Sequence, residues 1–161
     1  MSGDQPGKHG RRSAGLLLFR HTDSGMEVLL GHMGGPFFAR RDAGAWSVPK
    51  GEYEPDETAW DAARREFREE LGLPPPDGEA LALGEVTQKN GKVVTVWAIE
   101  ADLDPATVDP GTFTMEWPPK SGQRQEFPEL DRVEWMTPDR ARTLIVKAQA
   151  EFLDRLAEHS H

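Results

Sequence analysis

The apolar and polar positions of this chain fall into blocks that predict a β-rich body carrying two helices. Ser13 to Phe19 is an apolar run of strand length, and it predicts a buried strand. Thr22-Asp23-Ser24-Gly25 is a turn signal, and Met26 to Leu30 predicts the partner strand of a hairpin. A Gly-containing loop (GHMGGPFFARRDAGA) then leads into a short apolar piece at Ala45 to Val48. Ala59 to Leu71 holds neither glycine nor proline, and Pro55 and Asp56 suit its entrance, so the segment predicts a helix. Gly72 suits the helix end, and Pro74-Pro75-Pro76 forbids continuation.

Two further strands are predicted at Leu81 to Gln88 and Lys92 to Ala101, around Asn90-Gly91, a strong two-residue hairpin signal. Asp102 to Leu130 is rich in Pro and Gly and poor in pattern, and it reads as a long loop. Val133 to Met136 reads as one more strand. Thr137-Pro138 supplies an N-cap with proline at the first helical position, opening a terminal helix. Its apolar positions Ala141, Ile145, Ala148, Phe152 and Leu156 follow steps of three and four. The order suits a single mixed α/β sandwich over residues 13–158, preceded by a polar tail at 1–12 that is expected to be disordered.

Composition changes this picture little. With 161 residues the chain can bury a core without disulfides, and with no cysteine it has no thiolate metal site. No apolar run approaches the roughly 18 residues of a membrane span, and no secretory signal is present. A cytoplasmic protein without membrane contact, monomer or homodimer, is expected. The formal net charge of −9 argues against DNA binding, since no basic stripe is present. An acidic protein can still take a polyphosphate if positive charge is local or arrives with a metal.

Candidate chemistry concentrates in the predicted helix. At 100° per residue, Glu66, Glu69 and Glu70 lie within an arc of about 100° on one face. Trp60, Ala63, Phe67 and Leu71 fall on a neighbouring face that would pack on the sheet. Arg65 stands four residues before Glu69 and four after Asp61, so it can pair with either. Such a carboxylate cluster repels itself unless cations fill it, which suits a divalent metal. A solvated charged face is the other reading of RREFREE. The spacing Gly51-(five residues)-Glu57-(seven residues)-Arg65-Glu66-Phe67-Arg68-Glu69-Glu70-Leu71-Gly72-Leu73 binds a loop glycine and a helix-ending glycine to the same unit.

That unit resembles the signature of the Nudix hydrolase family, and every fixed position of the signature is met. The order of elements around it is similar to the family's α/β/α sandwich, with a mixed sheet between helices. The resemblance implies hydrolysis of a nucleoside diphosphate linked to another group X, assisted by Mg²⁺ or Mn²⁺, with a nucleotide as the partner. By carry-over it implies metal ligation by Glu66, Glu69, Glu70 and the Lys50 carbonyl. It also implies orientation of the cluster by Arg65 and Glu57, and a general base at Glu66, at Glu69 or on a later loop. Hard cations prefer such carboxylate oxygens, and Mg²⁺ often bridges substrate phosphates.

Outside the signature, the Lys50 ammonium is a candidate phosphate contact. Phe37, Phe38, Arg40 and Arg41, with His32, either stack a base and hold phosphates, Arg41 among them, or pack the loop's own side chains. Lys120 and Arg124 raise the same question. Glu126 and Glu129 could reach the metals, but each taken alone reads as a surface glutamate. Trp46, Trp97, Trp117 and Trp135 read as packing residues, and His159 and His161 as tail residues. Trp46 to Glu52 looks like the segment entering the signature in dinucleoside polyphosphate hydrolases. The tyrosine that those enzymes often carry downstream is missing, its window being Lys89-Asn90-Gly91. Gln88 stands where the ADP-sugar branch often has proline. The expected substrate is therefore a dinucleoside polyphosphate or a nucleoside triphosphate, the alternative being a non-catalytic nucleotide-sensing module on the same fold.

Overall fold

A fork in the sheet decides where the signature loop goes. The computed structural model describes residues 11–159. Strands β1 (Arg12–Thr22) and β2 (Gly25–Met33) form a hairpin, but only Phe19 to Thr22 of β1 pairs with β2. Beyond that they splay apart, and residues 46–53 fill the split. Strand β3 (Trp46–Ser47) pairs with the end of β2, while β4 (Lys50–Tyr53) pairs with Arg12 to Gly15 of β1. Gly15 permits this crossing, because a Cβ there would overlap the Pro49 carbonyl oxygen. Lys50 and Gly51 are thus fixed at the fork.

The remaining strands complete a mixed sheet of seven. Strand β6 (Val93–Glu100) runs parallel to β1 and is flanked by β5 (Ala80–Thr87). The Asn90-Gly91 turn joins them, with Gly91 at a φ of 87° and the Gln88 N–H donating to the Lys92 carbonyl at 2.8 Å. Strand β9 (Leu130–Met136) pairs with the other edge of β2.

Alternation along β1 sends its side chains to two layers. Ala14, Leu16 and Leu18 pack beneath helix α1 (Ala59–Leu71) against Ala62, Ala63, Phe67 and Leu71. Leu17 and Phe19 pack on the opposite face against Ala141, Leu144, Phe152 and Leu156. The α/β/α sandwich expected from the sequence is the fold observed. Helix α1 begins one residue after Thr58, whose hydroxyl accepts from the Asp61 N–H at 3.1 Å, and ends at Gly72 with a φ of 69°.

Three segments differ from expectation. The stretch from Asp102 to Leu130 is not a plain loop. It holds a 3₁₀ turn at Pro105–Thr107 and a separate hairpin of β7 (Thr112–Glu116) and β8 (Arg124–Pro128), in which Phe113 faces Phe127 across the strands. The terminal helix is broken into α2 (Pro138–Leu144) and α3 (Ala150–His159). The break arises because Ile145 leaves the helix to bridge Trp46, and the Val146 N–H donates to the Trp46 carbonyl at 2.8 Å. Arg12 belongs to β1 rather than to a tail, while residues 1–10 of that expected tail and His161 lie outside the described residues. No helix among the described residues is long and apolar enough to cross a membrane.

Candidate active site

Helix α1 lies with its carboxylate face toward the fork. Gly51 sits directly beneath Glu66, and any Cβ on Gly51 would overlap the Glu66 carboxylate. The signature glycine is therefore the space in which Glu66 rests. On the next position of the face, Glu70 is buried, and its carboxylate accepts the backbone N–H of Lys50.

Arg65 organises the outer half of the cluster. Its Nε and Nη2 donate to the two carboxylate oxygens of Glu57, each at 2.8 Å. Its Nη1 reaches Glu66 at 2.7 Å and Glu69 at 3.1 Å, and Nη2 also approaches the Glu52 carbonyl at 3.4 Å. One planar guanidinium thus ties the loop before α1, strand β4 and two helix glutamates together, which a point-charge lysine cannot do. The Arg65 bonds hold Glu57 below the usual carboxylate range. Glu69 remains exposed, with only Arg65 holding it.

A fourth carboxylate completes the cluster. The β7–β8 hairpin returns the chain at Glu129, whose N–H donates to the Gly111 carbonyl at 2.7 Å and whose carbonyl accepts from the Gly34 N–H at 3.0 Å. Gly111 in turn donates to the Glu69 carbonyl at 3.0 Å, and Asp109 to the Leu71 carbonyl at 2.9 Å. The free carbonyls at the end of α1 are thereby satisfied by the segment that carries Glu129 to them. Glu129 and Glu70 share a cavity of about 240 Å³ with Lys50, Ser47, Phe38 and Phe113.

Burial and like charge act on the proton equilibria here. The Glu70 carboxyl is pushed up to about 8, first by desolvation, then by Glu129 and Glu66. Desolvation also raises Glu66, against the pull of Arg65, and raises Glu129, with Glu69 adding to it. Burial lowers Lys50, helped by Lys92. Among the described residues no three carboxylate or imidazole groups stand close enough to form a finished metal cage. The donor set nevertheless fits a hard divalent cation: it is all oxygen, and the carboxylates are strained by each other's charge in the way that a cation relieves.

The structure brings Glu57, Arg65, Glu66, Glu69, Glu70 and Lys50 together, and it adds Glu129. It does not bring Arg41 into this cavity. Arg41 is exposed, with its guanidinium 6.0 Å from the Phe38 ring, and its carbonyl accepts from Nε2 of the buried His32 at 2.6 Å. The other ring nitrogen of His32 lies 2.9 Å from Asp131, so this histidine is a packing residue that pins the loop. Of the two loop aromatics, Phe38 lines the cavity, while Phe37 meets Trp117 edge-on at 5.4 Å. Glu126 bonds the Thr112 hydroxyl on the hairpin at 3.1 Å, and Lys120 and Arg124 are exposed. Ser47, Phe113 and Lys92 escaped sequence reasoning. Only the position of Ser47 beside the signature segment hinted at its place.

The NUDIX domain family model matches residues 9–156. No curated protein matches the chain in sequence. Among solved structures, a binary complex of an Ap4A hydrolase from C. elegans is similar at a TM-score of 0.62 and 21% identity, over 92% of this chain and 97% of that one. The NUDIX domain of NrtR from Shewanella oneidensis, complexed with ADP ribose, is similar at 0.61 and 15% identity, over 93% and 88%. A Nudix hydrolase from M. smegmatis, RenU, is similar at 0.58 and 25% identity, over 95% and 86%.

Proposed function

The chain belongs to the Nudix family and is a pyrophosphohydrolase of that kind, and from that premise we propose that it cleaves a dinucleoside polyphosphate or a nucleoside triphosphate with Mg²⁺ or Mn²⁺. The observation that carries the reading is the convergence of Glu66, Glu70 and Glu129 beside Lys50 at the fork of the sheet. The cation ligands are Glu66, Glu69, Glu70 and the Lys50 carbonyl, with Glu129 added from the hairpin segment. Bound there, a divalent cation acidifies a water and neutralises charge on the phosphate oxygens.

The chain's own groups do the rest. Arg65 holds Glu66 and Glu69 toward the cluster through the bonds described above. Glu66 or Glu69 takes the proton as the water oxygen attacks phosphorus and the bridging P–O bond breaks. The Lys50 ammonium meets the phosphate oxygens. Phe38 and Phe113 wall the cavity against water on its apolar side. Support for the substrate class comes from the Trp46 to Glu52 segment.

The test is a panel of nucleoside triphosphates, dinucleoside polyphosphates and ADP-sugars, assayed with Mg²⁺ and with Mn²⁺. Pyrophosphate from a triphosphate, or a mononucleotide from a dinucleotide, is expected, and Glu66→Gln should lower turnover by about 100-fold or more. A panel without product, or an unimpaired Glu66→Gln enzyme, would overturn the reading.

A further inference from the structure

Lys50 stands between two hollows. On one side is the carboxylate cavity. On the other is a cleft of about 300 Å³ that shares Ser47 and Lys50 with the first and adds Gln88, Asn90, Lys92 and Gln149. The register of the sheet explains why both lysines reach it. Lys50 is paired with Gly15 on one edge of β1, and Lys92 immediately precedes the strand that pairs with the other edge. The Lys50 stem lies across the space where Gly15 lacks a side chain, since a Cβ there would come within 2.8 Å of the Lys50 Cβ.

Two ammonium groups in one half-buried cleft repel each other, and the protein offsets only one of them. Nζ of Lys92 pairs with Glu52 at 2.7 Å. The Lys50 ammonium forms no ion pair among the described residues, although most of its surface is withdrawn from water. An unpaired buried cation is costly unless a ligand supplies the counter-charge. Polar groups around it are arranged for such a ligand. Nε2 of Gln149 donates to Oε1 of Gln88 at 3.0 Å, which leaves the Gln88 NH₂ as a further donor at the cleft. Gln149 is itself fixed, because its Oε1 accepts the Val48 N–H at 3.0 Å and its Nε2 also meets Ser47 at 3.1 Å. This buried amide holds the chain that leads into Lys50.

Resting on the hydrolase reading above, we propose that the cleft between Lys50 and Lys92 is a second anion subsite. It takes a phosphate of the substrate beyond the diphosphate that is cut, and so selects substrates whose X is itself phosphorylated over those whose X is a neutral sugar. The carboxylate cavity can receive a phosphate only together with a cation. The cleft has no carboxylate lining it and binds anionic oxygen directly. A polyphosphate running from one hollow to the other passes Lys50, which meets it from both sides.

Two measurements test this. Inorganic tripolyphosphate binding is followed by calorimetry on the full chain, and kcat/KM is compared for a nucleoside triphosphate, a dinucleoside tetraphosphate and ADP-ribose. Lys92→Met should weaken tripolyphosphate by about tenfold, one charge-assisted contact, and lower the ratio of kcat/KM for the phosphorylated substrates over ADP-ribose by a similar factor. Lys92→Arg keeps the positive charge and should hold both within about twofold. Thermal unfolding of each variant separates loss of fold from loss of the contact. Unchanged tripolyphosphate affinity in Lys92→Met, or an equal loss on all three substrates, would overturn the subsite. Tripolyphosphate binding that depends on Lys92 in a protein that cleaves nothing would keep the subsite and overturn the hydrolase substrate reading instead.

Discussion

Replacing Glu70 by glutamine separates the folding cost of this carboxylate from its use in metal binding. In metal-free protein, burial and the neighbouring Glu129 and Glu66 raise the carboxyl from 4.5 to about 8. A folded-state value above the unfolded one means that the native protein holds the proton more tightly. Stability from this group is therefore fully present below pH 4.5 and lost as pH rises toward 8. At about 1.36 kcal/mol per pH unit, the loss amounts to about 5 kcal/mol above pH 8 and about 3 kcal/mol at pH 7. Glu70→Gln retains an oxygen for the Lys50 N–H and carries no titrating charge. In chelator, its stability should stay flat where the parent's falls, so that it exceeds the parent at pH 9 and matches it near pH 4.5. For a chain of this size the gap at pH 9 corresponds to roughly 10 °C in Tm. Tryptophan fluorescence across a thermal ramp, from pH 5 to 9 with and without Mg²⁺, reads it directly. Added Mg²⁺ at pH 8 should raise the parent's Tm and move the variant's far less. Parallel pH profiles for parent and variant in chelator would refute the reasoning, because Glu70 would then carry no excess proton affinity.

Arg65→Lys should lower kcat by about 10- to 100-fold in steady-state assays, as loss of a ligand-orienting group does, since one ammonium cannot serve Glu57, Glu66 and Glu69 at once. Its Tm should shift little, because the pairs are half-exposed. Gly51→Ala puts a methyl where the Glu66 carboxylate rests; Mg²⁺ titration by calorimetry should show weakened binding, with a stability loss of about 1–3 kcal/mol. Metal affinity equal to the parent's would show that Glu66 does not need its place above Gly51.

What could be read in the sequence was local. Helix α1 shows itself through its apolar spacing, through Gly72, and through the absence of breakers, all within one stretch. The Asn90-Gly91 hairpin is similarly self-contained. The break after Leu144 was hidden because the apolar steps through Ile145 and Ala148 look helical. What ends the helix is the distant backbone of Trp46, which claims Val146. The β7–β8 hairpin was hidden for a related reason: its alternation spans only Thr112 to Glu116, and the returning strand, Arg124–Pro128, is polar apart from Phe127 and Pro128. Arg41 was misleading in a different way. The loop composition placed a cation near aromatics, whereas the His32 bond to its carbonyl fixes its backbone away from the carboxylate cavity.

Glu129 shows how the unreadable part joins the readable one. Nothing about Gln125 to Glu129 distinguishes one glutamate from the other until the end of α1 is considered. A helix leaves its last carbonyls unpaired. Those of Glu69 and Leu71 are met by Gly111 and Asp109, and Gly111 then accepts the Glu129 N–H. A side chain at Gly111 would press on the Glu69 carbonyl at 2.7 Å, and one at Gly34 would overlap the Pro128 carbonyl. The two glycines let three segments, remote in sequence, lie flush behind the carboxylate face. The same helix that carries Glu66, Glu69 and Glu70 therefore recruits the fourth carboxylate through its own unsatisfied backbone. That coupling makes the hairpin part of the site, and it ties the charge repulsion at Glu70 to how firmly residues 109–129 are held.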